Sequence, residues 1–185
     1  MRLSGGACKV SAVRRWRRSG GLDGHAAPGN IAGALINVAE RYLEDFSVGQ
    51  TFGSGRLTVD PDRIKSFAAE FDPQPFHLDE DAARASIFGG LAASGWHIAA
   101  MTMKLLVESE LRIVGGLIGA GFDELRWPRP VRPGDELRVH SEVLEVRPSK
   151  SRPTQGMVKV RITTLNQNDE AVQVSVSNIV VARRP

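Results

Sequence analysis

The stretch GGLAASGWHIAAMTMKLLV, residues 89–107, contains the apolar segment that decides the fold of this chain. Apolar side chains continue almost without interruption, so we predict a helix over residues 91–111. A helix that is apolar on nearly every side must be buried on most sides. The apolar run is shorter than the roughly 18 or more residues that a membrane span needs. We therefore expect protein to surround this helix at the centre of a core.

The segments that follow alternate between apolar and polar residues. This pattern covers residues 137–139, 158–164 and 172–177, and turn-forming residues at 132–135 and 166–169 separate the segments. Alternation with a period of two is typical of antiparallel strands that place one face on a core. The sequence therefore predicts an α+β fold in which an antiparallel sheet wraps around the long central helix.

Upstream of the helix, residues 55–59 favour a short strand, and Asp60-Pro61 then forms a helix start. Aspartate is a preferred N-cap, and proline is tolerated at the first helical position. That helix is predicted to end at Asp72, because a residue before proline is pushed out of the α region. The two prolines of residues 72–77 predict a stiff, non-helical loop. A short helix over residues 80–86 leads to Gly89-Gly90.

Charge divides the chain of 185 residues into two parts. Residues 1–37 carry six basic residues and one acid, whereas residues 38–185 carry 18 basic and 20 acidic residues. We predict a basic N-terminal extension over residues 1–37, whose composition favours disorder, and one domain over residues 38–185. A targeting peptide, a nucleic-acid-binding arm at residues 14–18, or a mis-assigned start before Val38 are alternative interpretations of the extension.

Composition also argues against several classes of function. The near-neutral domain lacks the basic patch that is typical of nucleic-acid binding, so we expect no nucleic-acid partner and no membrane association. The single cysteine, Cys8, cannot form an internal disulfide, which is consistent with a reducing, cytoplasmic location. Neither a metal-ligand spacing nor a phosphate-binding glycine loop is found, so we expect no metal and no cofactor.

Asp72 and His77 are the candidate catalytic residues. A carboxylate and an imidazole on a stiff loop suit proton transfer near neutral pH. Gly90 precedes the predicted helix, where backbone N–H groups can stabilise an oxyanion. Together with the apolar helix, these residues predict chemistry next to the carbonyl of an acyl group. We expect Ile98 and Met101 to border the acyl tail.

Three sequence blocks resemble the MaoC-like dehydratase family, whose members are relatives of the R-specific enoyl-CoA hydratases. They are FDPQPFHLDEDAA, GGLAASGWHIAAMTMKLLV and GFDELRWPRPVRPGDELRV, and they begin at residues 71, 89 and 121. The resemblance covers residues 42–182 and implies a hot-dog fold. It also implies hydration of a trans-2-enoyl thioester, carried by CoA or acyl-carrier protein, or dehydration of the 3-hydroxyacyl thioester.

The family's catalytic residues correspond to Asp72 and His77, and its oxyanion donor to the Gly90 N–H. Two positions depart from the hydratase motif, since Phe71 replaces a glycine and Gln74 an asparagine. Because its longer amide can place substrate or water differently, Gln74 is included among the predicted substrate-binding residues. Ser94 is included as a residue that could approach the thioester, with packing of a small side chain as the alternative interpretation. His97 is interpreted as a hydrogen-bonded core residue.

Two other functions remain open at the level of sequence. A hot-dog thioesterase would use a similar oxyanion site, with water attacking the thioester carbonyl. A non-catalytic acyl-CoA-binding module is the third alternative. Because a single sheet leaves edges and an apolar helix incompletely covered, we expect a homodimer or a higher homo-oligomer.

Overall fold

A computed structural model describes residues 40–185, so the predicted extension over residues 1–37 lies outside the described residues. A 3₁₀ turn at Leu43–Asp45 precedes the first strand. The described part then contains β1 (Thr51–Thr58), α1 (Pro61–Phe71), α2 (Pro75–Leu78), α3 (Glu80–Ala85), α4 (Gly95–Val107), β2 (Ile118–Arg126), β3 (Glu136–Pro148), β4 (Gln155–Leu165) and β5 (Ala171–Ala182).

The five strands form one antiparallel sheet in the order β1-β3-β4-β5-β2. The predicted alternation is confirmed in β3 and β4, because their apolar residues are buried at every second position. In β5 the prediction is wrong after Val172, because Val172 and Gln173 are both buried and the next buried positions are Ser175 and Ser177. The inward side chains include Val139, Val143, Val158, Val160 and Ile162. One face of the sheet therefore forms a largely apolar surface, which the buried polar residues Gln173, Ser175 and Ser177 interrupt at β5.

Helix α4 packs in the same core as this apolar surface. Ile98, Leu105 and Leu106 of α4 are buried together with the inward residues of the strands. This arrangement confirms the predicted α+β class, with an antiparallel sheet wrapped around a central helix. No helix within residues 40–185 is long and apolar enough to cross a membrane.

The central helix is shorter than predicted, since it begins at Gly95 and ends at Val107. Residues 91–94 are not helical because their backbone groups bind distant partners. The Arg132 guanidinium donates to the carbonyl oxygens of Gly90 (2.6 Å) and Leu91 (3.2 Å). The Ala93 N–H donates to Val131 O at 2.9 Å. These contacts hold the segment extended until Ser94 caps the helix.

The segments before α4 are close to the prediction, with two corrections. Asp60 caps α1 by accepting the N–H groups of Asp62 and Arg63, and α1 ends where Asp72 precedes Pro73. The loop over residues 72–77 is not wholly non-helical, because Pro75 begins the single-turn helix α2, as proline at a first helical position permits. Strand β1 begins at Thr51, earlier than predicted, and contains an irregularity between Gly53 and Arg56.

Strand β2 was not predicted. Most of its side chains are exposed, and two register shifts interrupt its pairing with β5. Gly121, with a positive φ of 124°, lies at the first shift. Without a buried face, β2 carries none of the alternation that identifies the other strands.

Candidate active site

Asp72 and His77 are brought together by the junction between α1 and α2. Asp72 is the C-cap of α1, and His77 lies in the single turn of α2 that begins at Pro75. His77 Nε2 lies 3.5 Å from Asp72 Oδ2. This distance is too long for a strong direct hydrogen bond, but it allows one water molecule to contact both atoms.

His77 is held in one orientation by the backbone of the extended segment before α4. Its Nδ1 lies 2.7 Å from the carbonyl oxygen of Ala92, and the ring is buried. A carbonyl oxygen can only accept a hydrogen bond, so Nδ1 of the neutral imidazole carries the proton. Nε2, which faces Asp72, is then unprotonated and able to accept a proton.

Asp72 is held as a carboxylate by two side-chain donors. Ser94 Oγ donates to Oδ2 at 2.6 Å, and Gln74 Nε2 donates to Oδ1 at 2.7 Å. The bond from Ser94 is the main cause that lowers the pKa of Asp72, and Gln74 and His77 add to it against the opposing effect of burial. Gln74 and Ser94, two of the predicted substrate-binding residues, therefore contact the Asp72 carboxylate in this structure.

The pair opens into a pocket of about 340 Å³. Besides Asp72 and His77, its walls include Gln74, Phe76, Phe88, Gly95, Ile98 and Trp127. Ile98, which we expected to border the acyl tail, lines this pocket. Met101, which we expected beside it, is instead buried in the core between helix and sheet.

Gly90 does not line this pocket. It borders a different cavity of about 530 Å³, together with Arg84 and Arg132. The prediction assumed that the helix begins directly after Gly90, whereas the Arg132 contacts delay the start of α4 to Gly95. Gly95 is the first residue of α4 and lines the pocket of the Asp72–His77 pair.

The Gly95 N–H is the backbone donor that the structure places beside the pair. Ser94 Oγ accepts the Trp96 N–H and Ser94 O accepts the Ile98 N–H, while the Gly95 N–H has no acceptor within residues 40–185. Unpaired N–H groups and the helix dipole give such an N-terminus a partial positive charge. Ser94 is a preferred N-cap residue type, and this signal in the sequence identifies the true helix start.

His97 is buried, as expected, but it is not fully hydrogen-bonded. Its ring stacks on Phe67 with centroids 4.7 Å apart, and Nδ1 has no hydrogen-bond partner within the described residues. Burial is the main cause that lowers the pKa of His97, and Arg63 adds to it. His97 is absent from the walls of the Asp72–His77 pocket. Across residues 40–185, no cluster of three or more His, Cys, Asp or Glu side chains could hold a metal ion.

Comparison with known proteins identifies the relatives of this chain. Residues 45–166 match the family model described as MaoC like domain. The structure resembles the crystal structure of the MaoC-like dehydratase from Rhodospirillum rubrum, with a TM-score of 0.76 and 59% sequence identity. That similarity covers 78% of this chain and 99% of the other.

Two curated proteins are similar in sequence. The uncharacterized protein YdeM of Bacillus subtilis is 35% identical over 130 residues, which cover 70% of this chain and 91% of YdeM. The 3-hydroxyacyl-thioester dehydratase Z of Mycobacterium tuberculosis is 30% identical over 121 residues, which cover 62% of this chain and 76% of that enzyme. The region that the family model matches, residues 45–166, includes both the junction between α1 and α2 and the central helix.

Proposed function

This chain belongs to the MaoC-like domain family, and from that premise we propose that it is a hydro-lyase acting on an acyl thioester. It would add water to a trans-2-enoyl thioester, or remove water from the 3-hydroxyacyl thioester. One observation carries the proposal: an ionised Asp72, an imidazole with a free Nε2 and the Gly95 N–H line one pocket. The dehydratases similar to this chain support the same reaction class.

In the hydration direction, His77 acts as the general base. A water molecule held between His77 Nε2 and Asp72 Oδ2 loses a proton to Nε2 as its oxygen bonds to the β carbon. The electron pair of the carbon–carbon double bond moves toward the thioester carbonyl, which becomes an enolate. The Asp72 carboxylate orients the water and stabilises the imidazolium that forms, because an opposite charge nearby favours the charged imidazole.

The negative charge that develops on the thioester oxygen requires a donor. The Gly95 N–H, at the start of the 13-residue helix α4, lies in the pocket wall where it can bind that oxygen. A preorganised donor of this kind is commonly worth a factor of about 10²–10³ in rate. Since glycine has no Cβ, the carbonyl can approach this backbone closely.

Return of the proton completes the reaction. The His77 Nε2–H donates to the α carbon, the enolate collapses to the saturated thioester, and the imidazole becomes neutral again. One water is consumed and no net proton is gained or lost, so the same residues catalyse dehydration in the reverse direction. The proposed substrate is a thioester of CoA or of acyl-carrier protein, and Ile98 borders its reacting carbons.

We also propose that the active form is a homodimer or a higher homo-oligomer, located in the cytoplasm. Strand β2 lies at the edge of the sheet and exposes Ile118 and Phe122, while α4 exposes Met103 and Val107. Exposed apolar side chains on an unpaired strand edge are typical of a surface that pairs with another chain. A second copy would cover them. Light scattering that gives a clean monomer mass at micromolar concentration would contradict this proposal.

The test of function is a hydration assay with purified protein and crotonyl-CoA, following loss of the absorbance of the conjugated enoyl group. We expect turnover by the wild type and losses of about 10²–10⁴-fold in kcat for both Asp72→Asn and His77→Ala. His140→Ala is a matched control, since His140 is an exposed histidine on β3 that does not line the pocket.

The same reactions are monitored for release of free CoA thiol. Loss of enoyl absorbance without thiol release supports the hydro-lyase. Thiol release without hydration would replace it by a thioesterase, and neither signal with any enoyl-CoA would contradict enzymatic function on CoA substrates.

A further inference from the structure

A second, apolar cavity lies along the same helix as the active-site pocket. It has a volume of about 360 Å³ and lies between α4 and the face of strands β2 and β5. Its apolar walls include Ala99, Met103, Leu106, Phe122, Leu125 and Ile162. The residues of α4 nearer the N-terminus, Gly95 and Ile98, line the active-site pocket instead. The two cavities therefore follow one another along a single groove beside α4.

The strand register places Trp127 and Gln173 at the boundary between these two cavities. Leu125 pairs with Ser175 in the β2–β5 ladder, and both residues line the apolar cavity. The ladder ends with Arg126 paired to Val174, and Trp127 and Gln173 are the next residues of the two segments. Trp127 lines the active-site pocket, whereas Gln173 lines the apolar cavity.

A hydrogen bond joins these two residues across the boundary. Trp127 Nε1 donates to Gln173 Oε1 at 2.9 Å, and Gln173 is only 3% exposed. The indole also lies against the start of α4, because a Cβ added to Gly95 would stand 3.0 Å from the Trp127 ring. The indole therefore spans the groove from Gln173 on the sheet to Gly95 on the helix.

We propose that the Trp127–Gln173 pair is a specificity-determining wall that limits the acyl chain of the substrate to short lengths. This inference rests on the proposed hydro-lyase function. A short enoyl group fits within the pocket of about 340 Å³, whereas the indole separates a longer tail from the apolar cavity. The buried amide of Gln173 has its oxygen satisfied by the indole, so the wall has a fixed position and a stable closed state.

Shortening Trp127 removes the wall and joins the two cavities. Each methylene of the acyl chain that enters the apolar cavity then favours binding by roughly fourfold, from the transfer free energy of a buried methylene. A chain longer by several methylenes should gain at least about tenfold in kcat/KM relative to a short chain. Trp127→Phe keeps a ring but loses the donor to Gln173, and it should therefore give a smaller gain.

The experiment measures kcat/KM for trans-2-octenoyl-CoA and for crotonyl-CoA, and expresses specificity as their ratio. We expect a ratio below one for the wild type, at least a tenfold increase for Trp127→Leu, and smaller increases for Trp127→Phe and Gln173→Leu. Tyr42→Leu is the control, because Tyr42 is an aromatic residue that lines neither of the two cavities. Its ratio should stay near that of the wild type.

A separate measurement of acyl-CoA binding distinguishes failure of the proposed wall from failure of the proposed reaction. Calorimetry with the saturated compounds octanoyl-CoA and butyryl-CoA gives a length preference that needs no turnover. If no hydration is detected but the length preference in binding still shifts in Trp127→Leu, the proposed function is contradicted and the proposed wall is supported. The proposed wall is contradicted if folded Trp127→Leu hydrates enoyl-CoA with an unchanged ratio of kcat/KM values. It is also contradicted if the wild type prefers octenoyl-CoA. If circular dichroism shows Trp127→Leu to be unfolded, Trp127→Phe and Gln173→Leu decide by the same criterion.

Discussion

Replacing Ser94 by alanine removes a hydroxyl that joins the active site to the start of the central helix. Ser94 Oγ donates to Asp72 Oδ2 at 2.6 Å and accepts the Trp96 N–H at 3.2 Å. The first bond holds the catalytic carboxylate in its ionised form, and the second caps α4. The substitution Ser94→Ala therefore tests whether this serine positions and tunes Asp72 or only begins a helix.

The two lost hydrogen bonds contribute different amounts to the free energy of unfolding, and these contributions depend differently on pH. A hydrogen bond to a charged group contributes about 1.5–3 kcal/mol, and loss of a serine N-cap costs about 1 kcal/mol. The Asp72 side chain is 18% exposed, so solvent screens the first bond only in part. Because the bond from Ser94 is the largest cause of the lowered pKa of Asp72, that pKa should rise in Ser94→Ala.

The sign of the effect on stability follows from the lowered pKa of Asp72 in the folded protein. The bond from Ser94 stabilises the fold above the pKa of an unfolded aspartate, about 3.9, and this contribution is lost as the pH falls through the lower folded pKa. Urea unfolding at pH 7 should therefore show Ser94→Ala less stable by about 2–4 kcal/mol. The difference should shrink toward about 1 kcal/mol, the cap alone, in strong acid.

The kinetic assay compares kcat/KM of the wild type and Ser94→Ala with crotonyl-CoA between pH 4 and pH 8. The ratio of wild type to variant should rise as the pH falls from 7 to 4, because the pKa of Asp72 is higher in the variant and its carboxylate becomes protonated first. Ser109→Ala is a matched control. Ser109 is also buried and makes two local bonds, to Leu106 O and from the Leu111 N–H, beyond the other end of α4.

We expect Ser109→Ala to lose stability without changing the shape of the pH profile. A Ser94→Ala profile that is parallel to the wild type at every pH, together with a stability loss equal to that of Ser109→Ala, would refute the reasoning. Ser94 would then be a helix cap alone.

Three further predictions concern the pair, the sheet and the extension. Asp72 and His77 are proposed to act on one water, so the double variant Asp72→Asn, His77→Ala should have a kcat little below that of the slower single variant. Additive losses would contradict this shared role. Gly156→Ala places a Cβ 2.7 Å from Arg147 O on the neighbouring strand and should lower the free energy of unfolding by about 1–3 kcal/mol in urea; an unchanged midpoint would contradict this close approach. A chain beginning at Val38 should keep the circular dichroism spectrum and turnover of the full chain, and failure to fold would make residues 1–37 essential.

Local sequence patterns were sufficient for the main elements of the fold. Asp60-Pro61 marks the start of α1 because the carboxylate caps the first N–H groups wherever the helix finally lies. The alternation in β3 and β4 and the apolar composition around Ile98 report which side chains are buried, whereas in β5 the buried positions from Gln173 to Ser177 are polar. Burial of this kind repeats along the chain with the period of the element, so it can be read without knowledge of the partners.

The candidate site could be predicted only in part, because some of its contacts join residues that are far apart in the chain. Asp72 and His77 lie on one short segment, so two prolines and their spacing place them near each other. The partner of Asp72 is Ser94, 22 residues away, and the partner of His77 is the Ala92 carbonyl, 15 residues away. No periodicity in the sequence relates these residues, because the extended segment before α4 brings them together.

Ser94 marks in the sequence a position where the central helix can begin, and tertiary contacts decided that it begins there rather than after Gly90. They thereby decided that Gly95, and not Gly90, lines the pocket of Asp72 and His77. Arg132 binds the carbonyl oxygens of Gly90 and Leu91 from more than 40 residues away, and so excludes the first predicted turns from the helix. Tertiary structure likewise decided that strand β2 completes the sheet and that Trp127 binds Gln173. Propensity and hydrophobic pattern describe how each segment is solvated and buried. Hydrogen bonds between distant segments form only when the whole chain has closed around its core, and they determine the geometry of the site.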